Sequence, residues 1–456
     1  MTIKKTILAL SVTAMTLGSG SALAKVSAEE AAKLGNDLTP VGAERAGNAD
    51  GSIPEWTGGM TAVPVGHEAG GFRIDPFADE KPLFTITASN YQDYSDRLTD
   101  GQKMMFTKNP DTFKMNIYQT HRTAAAPQWV YDNTAKNALT GELTPGGNGI
   151  MKSHGGYPFP VPQNGLEVIW NHHVRWRGEG IHRIYSSVLT YPNGERIVGG
   201  GEGWETYRTH QKDNYDPDYN GTVLEYLNIF TAPVRRKGET LLVKDPINQS
   251  ETPRQAWQYI PGQRRVRRAP TVAFDTPDAG TSGTTTYDDA YMYNGSPERY
   301  DFKLTGKKEI YVPYNSNGLL NKLAKTKDGD YSLLTPNHID PKAERWELHR
   351  VWVVEATLKE GKRHVYGKRT FYVDEDTWMV VLADAYDGRG ELWRTHMTHL
   401  LNAYDVPAQS MRAPTYHDFQ TGVYYVSDID VEPFKVYEGE PESYFTPAQV
   451  RKISRR

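Results

Sequence analysis

Between Arg345 and His399 the chain alternates. Trp346, Leu348, Arg350, Trp352, Val354, Ala356 and Leu358 fall on one face of an extended backbone, and Glu347, His349, Val351, Val353, Glu355 and Thr357 on the other. A repeat of two is the repeat of a β-strand. The polar turn Lys359-Glu360-Gly361-Lys362 leads into a second alternating run, His364 to Val373, which Asp374-Glu375-Asp376 closes. A third run spans Trp378 to Ala385 and turns at Asp387-Gly388-Arg389-Gly390, and a fourth begins at Leu392. Links this short allow only antiparallel pairing, because a parallel return needs a crossover of about a dozen residues or more.

The same pattern recurs upstream. Val168, Trp170, His172, Val174 and Trp176 share one face in a strand predicted to start at Leu166. Gly178-Glu179-Gly180 then turns the chain into Ile181 to Tyr191, and Asn193-Gly194 marks a hairpin. Further strands are predicted at Leu224–Thr231, Glu239–Lys244, Gln255–Ile260, Arg264–Arg268 and Tyr300–Val312. The glycines from Gly199 to Gly203 have no Lys-Ser or Lys-Thr after them, so they read as a bend or bulge within a strand.

Helical spacing is confined to the first third. Ser27 and Glu30 form a capping box, Tyr91, Tyr94, Leu98, Met105 and Phe106 predict an amphipathic helix within Thr87–Thr107, and Val130–Leu139 predicts a shorter one. Leu38 to Gly59, rich in Gly and Pro, reads as an ordered wrapping segment. After Ala403, Pro407, Pro414 and Pro433 predict a tail laid along the surface. The expected fold class is mainly β with flanking helices, built on a large antiparallel, half-open β-barrel of about ten strands or more. Residues 25–402 form one domain with a helical or irregular part at 25–165, and residues 403–456 an extension.

The N-terminus changes the picture of where this sheet resides. Lys4 and Lys5 precede an apolar run from Ile7 to Leu17 and the small-residue site Ala22-Leu23-Ala24, the pattern of a secretory signal peptide cleaved after Ala24. A periplasmic product is expected. The chain of 456 residues has no cysteine, which excludes disulfides, thiol catalysis and a lipidated N-terminal cysteine. Net charge is -4, or -4 - 2 = -6 without the two leader lysines, which argues against a nucleic-acid partner. With 28 Tyr and 10 Trp but a mean hydropathy of -0.65, the sheets should have one buried and one wet face.

Three blocks carry a resemblance: Leu38 to Gly59; Trp257-Gln258-Tyr259-Ile260-Pro261-Gly262-Gln263-Arg264-Arg265-Val266-Arg267-Arg268-Ala269-Pro270; and Tyr372-Val373-Asp374 to Leu392-Trp393-Arg394. In this order they resemble the exported bacterial family known as domain of unknown function 1329, which is placed near the lipoprotein carriers LolA and LolB. The resemblance implies a half-open barrel with an apolar concavity under a helical lid. It also implies a role in envelope transport, with a resistance-nodulation-division-type exporter or an outer-membrane protein as partner.

Candidate chemistry is sparse. Trp170, Trp176, Trp257, Trp346, Trp352 and Trp378 are candidates to line a concavity for a hydrophobic ligand, with sheet core as the ordinary alternative. In a strand, Arg265 and Arg267 share a face and at least two arginines of that run point to the covered side. There they either hold an anionic head group or pair with internal acids. Asp216-Pro217-Asp218-Tyr219-Asn220-Gly221 matches half a calcium loop but has Leu227 at the twelfth position, and an Asx turn explains it as well. There is no H-E-x-x-H, G-x-S-x-G or Walker lysine, and no cofactor or metal is expected. The expectation is a periplasmic carrier of a hydrophobic or amphiphilic molecule such as a lipid. A hydrolase with paired carboxylates and a structural adaptor of an export complex are the alternatives.

Overall fold

A computed structural model describes residues 26–269 and 274–454, and the predicted leader lies outside these. Sixteen strands form one sheet. In chain order, β1 (Phe84–Ile86) pairs with β2 (Met115–Ile117), and β3 (Glu142–Leu143) with β4 (Ile150–Met151) makes a separate ribbon. Next come β5 (Gly180–Thr190), β6 (Arg196–Tyr207), β7 (Thr222–Ala232), β8 (Thr240–Pro246), β9 (Gln255–Ile260) and β10 (Arg265–Arg268), each antiparallel to the one before. The second series is β11 (Tyr300–Pro313), β12 (Trp346–Leu358), β13 (Lys368–Asp374), β14 (Val380–Tyr386), β15 (Leu392–Ala403), β16 (Ala408–Asp418) and β17 (Tyr424–Asp430), with β18 (Lys435–Tyr437) beside β5. The two series join where β17 pairs with β5. The sheet is open, since β10 at one end finds no partner at the other, and it is antiparallel apart from one parallel contact between β2 and β12.

The predicted meander is present as β12 to β15, and Asn193-Gly194 joins β5 to β6. The glycine run of β6 carries a register shift between Gly200 and Gly201, a bulge as expected.

Six helices accompany the sheet: α1 (Ala28–Ala31), α2 (Asp100–Lys108), α3 (Gln128–Thr140), α4 (Gly165–His173), α5 (Asn317–Leu323) and α6 (Pro447–Ile453). Ser27 and Glu30 make the expected capping box. The helix predicted across residues 87–107 is divided, because Thr99 accepts from Gln102 N and so starts α2 afresh after a 3-10 turn over Tyr91–Arg97. Gly101 brings α2 onto the sheet: its N–H donates to Asp384 at 3.1 Å, and a Cβ there would meet Thr395 Oγ1 at 2.0 Å.

Two expectations are corrected. Leu166 to Trp176 is not the first strand. Gly165–His173 is α4, opened by the Asn164 side chain accepting from Glu167 N, and the sheet begins at Gly180. Seven consecutive residues, Glu167 to His173, are buried, so a helix wrapped on all sides mimics any period. Nor is the chain after Ala403 simply a surface tail. β16 and β17 are central strands, and only from Glu438 does the chain leave the sheet, α6 covering the outer face of β8, β9 and β10.

The main core lies on the β11–β16 half, where Trp346, Trp378, Phe371, Val354 and Leu400 pack with Val168 and Ile169 of α4. A smaller core on the other half sets Leu227, Leu242 and Tyr259 against Phe445 and Val450 of the C-terminal segment.

Candidate functional site

Alternation in β7 and β8 sends Leu227 and Leu242 outward to that smaller core, and Leu224, Tyr226, Phe230, Leu241 and Val243 the other way. The inward residues line a cavity of about 190 Å³. Its walls draw on β16, β17, β5, β6, β7, β8 and β9, seven neighbouring strands. Laid flat these would span roughly 29 Å at ~4.8 Å per strand spacing, so the sheet must curl to bring them to one small space. A second space of about 210 Å³ is lined by residues 322–334 alone, one surface loop with no facing wall, and the sheet-walled cavity is the better candidate.

The open side is crossed by residues 274–294, which contribute Asp278, Tyr287, Ala290, Tyr291 and Asn294 to the lining. This strap is tied to the sheet by charge. Arg369 of β13 reaches Asp288 at 3.0 Å and also bonds Asp289. His364 meets Asp288 at 3.0 Å, and the Tyr366 hydroxyl donates to Asp289 at 3.0 Å. Burial alone would raise Asp288, but Arg369 and the His364 bond outweigh it and hold the carboxyl below its ordinary range. Within the strap Tyr291 and Met292 have φ of +53° and +71°, left-handed backbone that non-glycine residues seldom adopt.

The cavity is amphipathic. Leu224, Phe230, Leu241 and Val243 give aliphatic and aromatic wall, and Tyr185, Tyr226, Tyr287, Tyr291, Tyr416 and Tyr425 add rings with polar tips. Its carboxylates are engaged: Asp245 with Arg254, Asp428 with Arg183 at 2.7 Å, while Asp278, pushed up by burial, accepts from Gly280 N at 2.7 Å.

None of the eight residues singled out from sequence lies on this lining. Trp170 packs with Phe159 and Val223 and donates to Gly147 O at 2.9 Å. Trp176 stands edge-on to Trp129 and donates to Pro407 O at 2.8 Å, beside a separate space of about 20 Å³. Trp257 faces outward, half-buried beneath α6. Trp346 and Trp378 are fully buried in the main core, and Trp352 stacks on Trp378 at 6.1 Å. Arg265 and Arg267 are exposed, which corrects the expectation that two arginines of this run enter the covered side: β10 is an edge strand, where alternation does not imply a buried face. The pattern did not single out the strap or the arginines Arg175 and Arg177, although an Arg-x-Arg pair in an apolar stretch was a readable signal.

Asp216 to Gly221 folds as an Asx turn, Asp218 N donating to Asp216 at 3.0 Å. Among the described residues, His349, Asp374 and Asp376 place three donor atoms within 4.8 Å of one another. Arg122 occupies both oxygens of Asp376, and Thr377 bonds Asp374 Oδ2 through N and Oγ1. This makes the group an internal ion-pair network. Burial, aided by Asp376, pushes Asp374 up to about 7.

A curled, open antiparallel sheet with a strapped internal cavity defines a half-barrel fold. The chain belongs to the family described as protein of unknown function (DUF1329), whose model matches residues 85–451. It is 46% identical over 452 residues to the uncharacterized protein PA3922 of Pseudomonas aeruginosa, covering 98% of each. Among solved structures it is similar to a DUF1329 family protein of Desulfovibrio piger (TM-score 0.42, 16% identity, 62% of this chain and 95% of that one). It is also similar to a putative outer membrane lipoprotein-sorting protein domain of Vibrio parahaemolyticus (0.44, 16%, 63% and 98%). A LolA superfamily protein of Nitrosomonas europaea matches likewise (0.38, 13%, 62% and 98%). No helix among the described residues is long and apolar enough to cross a membrane.

Proposed function

We propose that this protein binds a hydrophobic or amphiphilic molecule in the strapped cavity and carries it within the periplasm. The observation that supports this reading is the cavity itself, about 190 Å³ walled by one face of seven strands. An apolar cavity of about 150 Å³ admits a benzene ring, so this one has room for a ring or a short stretch of acyl chain. A longer ligand extends past the strap. The leader-like N-terminus supplies the compartment, and an exporter or outer-membrane protein is the partner that would hand over or receive the cargo.

Native mass spectrometry of protein purified from the periplasm, followed by organic extraction, tests the reading. A stoichiometric lipid supports it, and an empty protein that also refuses dansyl-undecanoic acid and membrane lipids defeats it. Filling the cavity is the companion test. Leu241→Trp is expected to weaken dansyl-undecanoate binding by about tenfold or more, since a buried wall contact of this size carries on the order of 1.5–3 kcal/mol. The melting temperature should move little, because Leu241 borders empty space. Unchanged binding would place the ligand elsewhere.

A further inference from the structure

Between α4 and β5 the chain runs through Val174-Arg175-Trp176-Arg177-Gly178 without regular structure. Arg175 and Arg177 are 3% and 6% exposed. Among the described residues neither forms an ion pair. Arg175 Nη1 donates to His172 O at 2.5 Å, but its Nε and Nη2, and the Nε and Nη1 of Arg177, have no partner. Two buried guanidiniums of like sign with four idle donors are costly, because removal from water is repaid only when charge and hydrogen bonds are both answered. Burial and the neighbouring Arg177 press Arg175 well below its ordinary value. The acids nearby do not balance the site: Glu205 bonds Tyr207 and pairs with Arg183 at 3.2 Å, and Asp428 also pairs with Arg183. Arg175, Arg177 and Arg183 against Glu205 and Asp428 leave 3 - 2 = 1 positive charge.

One ring separates these donors from the cavity. Tyr291 lines the cavity, and its ring also meets the guanidiniums, Arg177 at 4.7 Å and Arg175 at 5.4 Å from the ring centre. Arg177 is held between this ring and that of Tyr207, at 4.0 Å. Tyr291 sits in the left-handed pair of the strap, a backbone conformation that costs a non-glycine residue energy.

We propose that Arg175 and Arg177 bind the anionic head group, a phosphate or a carboxylate, of an amphiphile whose apolar part fills the cavity, Tyr291 turning aside to join the two spaces. This rests on the carrier reading and names the class of its cargo. A guanidinium meets either anion through paired N–H donors, which supplies what the idle nitrogens lack.

The test compares dodecyl phosphate, dodecanol and inorganic phosphate by calorimetric titration of the full chain and of Arg175→Met/Arg177→Met. The full chain is expected to bind dodecyl phosphate about 10- to 100-fold more tightly than dodecanol, the range of a charge-assisted hydrogen bond or two. The double variant should bind both alike and melt no lower than the parent, since it loses an unanswered charge. Should it fail to fold, Arg177→Gln carries the test through a reduced preference for the phosphate. Equal binding of the two amphiphiles by the parent, or a preference that survives substitution, overturns the inference while leaving the carrier reading intact. Binding of neither amphiphile overturns both. Inorganic phosphate bound as tightly as dodecyl phosphate would overturn the lipid head group and assign the arginines to a free anion.

Discussion

Arg369→Met should destabilise the fold by about 3–5 kcal/mol, the usual cost of stranding buried charge, read as a drop in the urea midpoint. The side chain is 1% exposed and answers two carboxylates, Asp288 and Asp289, which are themselves buried. Methionine fills similar space and leaves both acids in a dry interior, with only the neutral donors of Thr286, Tyr366 and the His364 ring beside them. Because those acids belong to the strap, its hold over the cavity weakens as well, and proteolysis should first cut near residues 274–294. Adding Asp288→Asn and Asp289→Asn to the variant should recover most of the loss, since the stranded charge is then gone. A single-variant loss under about 1 kcal/mol would show that the pair does not anchor the strap.

The second large effect is acid sensitivity. Burial holds His173, His210 and His417 down to about 3 and His396 to about 4, and pushes His172 well below its ordinary value. A histidine depressed in the folded state contributes stability that is complete above pH ~6.5 and is lost as pH falls toward the folded value. Buried acids oppose this, Asp278, Glu375 and Glu167 among them. Burial raises Asp374 to about 7 and Asp384 and Asp430 to about 6, and their contribution is present below pH ~4 and lost as pH rises through those values. Between about pH 6 and 4 these histidines, with His154, therefore work against the raised acids. Each depressed histidine takes away about 1.4 kcal/mol of stability per pH unit on acidification, and each raised acid returns about as much. Urea midpoints at stepped pH measure this, and His210→Phe should make the slope shallower by the share of one proton. A pH slope that His210→Phe leaves unchanged would contradict the burial of that ring.

Where alternation ran between polar turns the sequence was readable, although β12 to β15 are buried on both faces and lack the expected wet one. β12 to β15, the β5–β6 hairpin and β9 all stand where period two put them. It failed in α4, whose buried Val168, Trp170 and His172 suit either period and which no polar turn separates from the strand pattern that follows. Proline misled at the C-terminus for a definite reason. Pro414 lies inside β16, but the register with β15 passes from Met397↔Thr415 to His399↔Arg412, leaving Ala413 and Pro414 in a bulge where no N–H is needed. Ala413 has φ of +40° there. The cavity could not be read at all, because its wall collects residues from Arg183 to Asp428 and period two does not say which strands will be neighbours. The arginines of β10 were legible as a strand and illegible as an edge.

The seam between β17 and β5 sets a timetable for assembly. Tyr424 pairs with Thr190 and Asp430 with Tyr185, so the sheet's middle is closed by residues that leave the ribosome long after β5. The margin of β5 must wait unpaired until more than two hundred further residues are made. Contacts so distant in sequence are slow to form, and a bare strand margin invites pairing with other chains. A chain stopped before Tyr424 would hold two half-sheets with nothing to join them, and its fate would be clumping or degradation.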